Sequence, residues 1–107
     1  MIKHIVCFKL KDNSAEECKK AADILKSMES NVDLLRGIEV GVDFLHSPRS
    51  YDIILQVVLD DADALDAYQK DEYHCSVVKK HMHAVAESSV AIDYDCLLYT
   101  SPSPRDA

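Results

Sequence analysis

The order in which apolar periodicity switches along the chain restricts its fold more than any other feature. Ile2, His4, Val6, Phe8 and Leu10 alternate with Lys3, Ile5, Cys7 and Lys9. This period of two reads as a strand whose second face is also partly apolar. The period then lengthens. Ala21, Ile24, Leu25 and Met28 recur at helical spacing, behind a Ser14 N-cap with Glu17 three residues on, the pattern of a capping box. Ile38, Val40, Val42 and Phe44 return to strict alternation. "SPRS", Ser47 to Ser50, reads as a turn, because proline presets φ and brings no amide donor to a ladder. "YDIILQVVL" is apolar on both sides, as in a central strand. "DDADALDAYQ" opens a second helix on acidic residues, with Ala64, Leu65 and Tyr68 inward. "YHCSVVKKHMH" continues that helical region as a second piece, and Val90, Ile92 and Tyr94 mark one face of a last strand.

The resulting order, β-α-β-β-α-β, is the ferredoxin-like split βαβ arrangement, an α+β fold with an antiparallel four-stranded sheet and helices on one face. The other face carries Val, Ile and Phe as well, so a second copy of the chain is expected to cover it.

Charge narrows the function classes. A formal net charge of −7 lacks the basic footprint that nonspecific nucleic-acid or anionic-membrane binding requires. No apolar run approaches the ~20 residues of a transmembrane helix. Lys3, Lys9 and Lys11 interrupt the N-terminal stretch, which has no signal-peptide pattern. Cys7, Cys18, Cys75 and Cys96 show no CxxC spacing, which fits a reducing, cytoplasmic setting. Cys7 and Cys75 read as small buried hydrophobes.

The C-terminal stretch breaks with what precedes it. "CLLYTSPSPRD", Cys96 to Asp106, has no apolar period and two prolines, and it resembles a sequencing adapter translated in frame. The expected domain is therefore residues 1–95, followed by a non-native, disordered tail over 96–107.

"YHCSVVKKHMH" places three histidines within a few turns. His81 and His83 diverge by roughly 200° on a helix, and His74 and His81 lie roughly 10 Å apart along the axis. Neither pair closes on one ion at the roughly 2 Å that zinc requires, so no metal site is expected. His81 and His83 suit the C-terminal end of a helix dipole.

The chain resembles the stress-responsive A/B barrel (Dabb) family. The resemblance rests on "MIKHIVCFKLK", "IEVGVDF", "SYDIILQVVLDDADALDAYQ" and "VAIDYD", and covers Met1 to Asp95. It implies a homodimeric α/β barrel closed by two four-stranded sheets, with no cofactor. One plant branch of the family is a polyketide cyclase with a Y-x-x-H-P-x-H pattern. "YQKDEYH" matches it at Tyr68 and His74, while Asp71 and Glu72 replace the central His-Pro. His4 aligns with a pocket histidine of the first strand, and Ile53 falls at or near another on the third. The resemblance thus implies a small organic ligand in a cavity beside the sheet, bound by His4, Val6, Phe8 and Ile53.

The alternative to simple binding is a cyclase- or lyase-like enzyme. His74 would be the general base, since imidazole titrates near neutrality, and Tyr68 an orienting donor. Related antibiotic-biosynthesis monooxygenases also use dimeric ferredoxin-like sheets, so the fold alone does not separate these activities.

Overall fold

The computed structural model describes residues 1–96. Strand β1 (Ile2–Leu10) leads to helix α1 (Ala15–Lys26), which tightens into a 3₁₀ turn at Ser27–Ser30. Strands β2 (Gly37–Val42) and β3 (Ile53–Leu59) follow, then helix α2 (Ala62–Gln69). After a break comes a π-helical segment, His74–Lys79, continuous with helix α3 (Lys80–Val85), and the chain passes directly into β4 (Ala86–Asp95). The sheet is antiparallel in the order β2-β3-β1-β4. This is the α+β, ferredoxin-like arrangement implied by the sequence periods, including the two-piece second helical region.

Local chemistry sets the element boundaries. The Ser14 hydroxyl accepts the Glu17 N–H at 3.3 Å. The reciprocal half of the box is replaced by the Ser14 N–H donating to the Asp12 carboxylate at 3.0 Å. Asp61 caps α2 by accepting the Ala64 N–H at 2.8 Å, which explains why that helix opens on acidic residues. The Ser50 N–H donates to the Ser47 carbonyl at 3.0 Å, closing the turn that Pro48 presets.

Register then sorts the side chains. Ile2, His4, Val6 and Phe8 stand opposite Leu59, Val57, Leu55 and Ile53, and these share the helix-covered face because strand side chains alternate. Leu55, Val57 and Leu59 meet Ala21, Leu25, Met28 and Tyr68 in the buried core. The remaining face holds Ile5, Cys7, Ile54, Val58, Val90 and Ile92, with Val90 and Ile92 50% and 59% exposed. It is largely apolar, and among the described residues no helix lies over it.

Two expectations are corrected. Phe44 does not continue the alternation of β2 and is 90% exposed. The last backbone bond of that pair runs from the Asp43 N–H to the Asp52 carbonyl. The Asp43 carboxylate then accepts the His46 N–H at 2.7 Å, and His46 turns the chain with φ 54°. Cys75 is exposed rather than buried, and Cys7 only half-buried. On a helix, neighbours diverge by about 100°, so burying His74 turns Cys75 outward.

Of the C-terminal stretch, Cys96 is buried and its N–H donates to the Met1 carbonyl at 2.9 Å. Residues 97–107, where the adapter-like reading mostly falls, lie outside the described residues. Among the described residues no helix is long and apolar enough to cross a membrane.

Candidate functional site

The break after α2 assembles the site. The Asp71 carboxylate accepts the His74 N–H at 2.9 Å, capping the second helical piece. Asp71, one of the two residues that depart from the cyclase pattern, thus starts the second helical piece. His74, 7% exposed, is folded back so that its ring stacks on Tyr68, with centroids 4.1 Å apart and planes 19° from parallel. His4 approaches the same tyrosine edge-on from β1, at 5.8 Å. The structure thus brings His4, Tyr68 and His74 together, although 70 residues of chain separate the two histidines.

Hydrogen bonds fix both imidazoles. His74 Nδ1 lies 3.0 Å from the Tyr68 carbonyl. A carbonyl only accepts, so Nδ1 carries the proton and Nε2 is the free acceptor. His4 Nδ1 donates to the Asp93 carboxylate, from the residue directly opposite it on β4. A carboxylate behind an imidazole sets tautomer and ring orientation. Among the described residues neither ring's Nε2 has a hydrogen-bond partner.

Burial lowers the His74 pKa, against the opposing pull of the Tyr68 carbonyl, with Lys79 adding to the depression. The ring is therefore neutral at pH 7 and able to accept a proton. The unfolded chain takes up that proton first, so the contribution of His74 to stability is complete above about pH 6.5 and lost as pH falls below it. Urea unfolding of wild type and His74→Gln at pH 7 and pH 5 is expected to show the wild type losing more stability on acidification. Equal losses would mean that His74 is not held neutral.

Tyr68 is fully buried. Its pKa is pushed far up by desolvation, with Asp71 adding to it, so it remains a phenol. The hydroxyl donates to Met28 Sδ at 3.7 Å, toward α1. What Tyr68 contributes at His4 and His74 is its ring.

Between these rings and the sheet lies a cavity of about 270 Å³. His4, Val6 and Phe8 line it, with Leu55, Val78 and Met82 among the apolar walls. Ile53 is not among them. It is 2% exposed and borders a shallower depression of about 340 Å³ with Cys7, Gly41 and Ile54. That depression is the larger one, but it opens beside the uncovered sheet face and contains neither imidazole. On β3 the residue that reaches the histidine cavity is Leu55.

Asp93 was not singled out from the sequence. Its signal was there in "VAIDYD", where Asp93 alternates with Ile92 and Tyr94 and so takes the face opposite theirs, the one that His4 shares. Among the described residues no three of His, Cys, Asp or Glu gather to hold one metal ion.

A sheet of this order, backed by helices on one face and bare on the other, defines a ferredoxin-like α+β domain with a cavity between its layers. The stress responsive A/B barrel domain profile matches residues 2–96, and the chain belongs to that family. Solved structures agree. A dimeric protein of unknown function with a ferredoxin-like fold from Bacteroides fragilis is 27% identical, over 88% of this chain and 94% of that one, with a TM-score of 0.72. A Dabb family protein from Mesorhizobium loti is 25% identical over the same shares, with a TM-score of 0.75. An antibiotic biosynthesis monooxygenase shares the fold at 18% identity, over 90% of this chain and 98% of that one, with a TM-score of 0.70. No curated protein matches the chain in sequence.

Proposed function

We propose that the chain acts as a cytoplasmic homodimer through its uncovered sheet face, each protomer binding a small organic molecule in the cavity beside His4 and His74. One observation carries the binding reading: two imidazoles with Nδ1 committed and Nε2 free line a single apolar cavity around the Tyr68 ring. Apolar walls with a few convergent polar groups are the general composition of a ligand site. The dimeric relative supports the oligomeric part.

Thermal unfolding of wild type and His74→Ala, each with a panel of polyketide-like and aromatic acids, tests the reading. A ligand at one hundred times its Kd adds about 2.7 kcal/mol to the folded state, a shift of several degrees for a domain of this size. The expected outcome is a shift in wild type that shrinks in His74→Ala. No shift in either protein would remove the cavity reading.

The second reading is cofactor-independent cyclase- or lyase-like chemistry with His74 as general base. It is favoured by the neutral imidazole and its fixed tautomer, because a base near neutral pH is what α-proton abstraction needs. Tyr68 would serve it by positioning His74 through the stacked ring; to act as a donor its hydroxyl would have to leave Met28. His74→Ala should then lose turnover while remaining folded.

A further inference from the structure

We propose that the molecule held in this cavity is an organic anion: a small carboxylic acid with an apolar body, its charged group met by Lys79 at the cavity rim. The inference rests on the ligand-site reading above and specifies the chemistry of the occupant.

Charge distribution is the first argument. The chain has 19 acidic residues against 12 basic ones, yet among the described residues no Asp or Glu lines the cavity, whereas Lys79, His83, His4 and His74 do. The two carboxylates beside the site are already committed, Asp93 to the His4 ring and Asp71 to the His74 N–H. In an acidic protein, a cavity free of carboxylates and edged by a cation is electrostatically complementary to an anion.

Lys79 itself is the second argument. It is half-buried, and its ammonium donates to the Gln69 carbonyl at 3.0 Å. That bond steadies the side chain against the end of α2 and uses one of three donors. Lys19, Lys70 and Arg36 are met by the carboxylates of Asp23, Asp66 and Asp60, while Lys9 and Lys11, like Lys79, donate to backbone carbonyls. Of these three lysines it is Lys79 that lines the cavity. Charge-assisted hydrogen bonds to a carboxylate are the strong ones, so the remaining donors are best matched by an acid.

Size and walls supply the rest. About 270 Å³ is the share of liquid volume of roughly nine waters. That suits a single ring or short chain. With the carboxylate at Lys79, the apolar body lies over Val6, Phe8, Leu55, Val78 and Met82, and its interior carbons fall beside His74 and His4.

The test is calorimetric titration of the full chain with three isosteric probes, 4-butylbenzoate, 4-butylbenzamide and 4-butylbenzylamine. The acid is expected to bind wild type at least tenfold more tightly than the amide, and the amine not at all. In Lys79→Met the acid's advantage should collapse while the amide's affinity stays the same, and Lys79→Arg should retain part of it. Should Lys79→Met not fold, a fall of the acid-to-amide ratio with added salt in wild type carries the same information. An amide or amine that binds wild type as well as the acid overturns the anion inference but leaves the cavity a ligand site. If none of the three binds, the ligand-site reading fails with it.

Discussion

Tyr68→Ala is expected to destabilise the protomer by about 3–5 kcal/mol, whereas Tyr68→Phe costs about 1 kcal/mol or less. The residue is fully buried, among the largest side chains of the core, and its ring touches both histidines. Truncation removes that apolar area and leaves a void that α2 and the sheet close only in part. The hydroxyl is a different matter. Its partner is a thioether, Met28 Sδ, which is a weak acceptor and leaves no costly orphan when the donor is deleted. Urea unfolding of the two variants separates the contributions of ring and hydroxyl. A loss above about 2 kcal/mol in Tyr68→Phe, or loss of ligand binding by a folded Tyr68→Phe, would show that the hydroxyl has a task beyond Met28.

The contrast between ring and hydroxyl also marks how far the sequence carries. Element order was readable because each element writes its own period. Ile2 to Leu10 alternates, Ala21 to Met28 recurs helically, and Ser14 and Pro48 punctuate them. That Tyr68 and His74 meet was readable as a condition, since residues six apart come together only if the helix breaks between them. Partners set by long-range register were not readable. The His4–Asp93 contact joins residues 89 positions apart, and depends on how β4 aligns with β1. Ile53 and Leu55 have the same character on the same face of β3, and only the placement of the helices decides which one borders the cavity. Phe44 shows the opposite error: alternation persists in the sequence after the ladder has ended, because a side-chain bond from Asp43 turns the backbone first.

Ile92→Asp is expected to convert the protein from dimer to monomer without unfolding it. Ile92 is 59% exposed in the protomer and faces away from α1, α2 and α3, so a carboxylate there costs the isolated fold little. Around it Ile5, Cys7 and Val90 form one apolar surface on β1 and β4. If that surface is covered by its own copy, the interface is isologous and every dimer carries the substitution twice. Each buried, unpaired carboxylate costs several kcal/mol. Doubled, the penalty exceeds what separates a nanomolar dimer from a micromolar one, about 4 kcal/mol. Sedimentation velocity at micromolar concentration, with circular dichroism on the same samples, reads both parts. A folded Ile92→Asp that sediments as a monomer beside a dimeric wild type places the interface on the uncovered face. A variant that stays dimeric moves the interface elsewhere, and then the exposed Val90, Ile92 and Tyr94 need another occupant. A wild type that is itself monomeric would set this chain apart from its dimeric relative in Bacteroides fragilis, and the ligand cavity, which lies within one protomer, would be left intact.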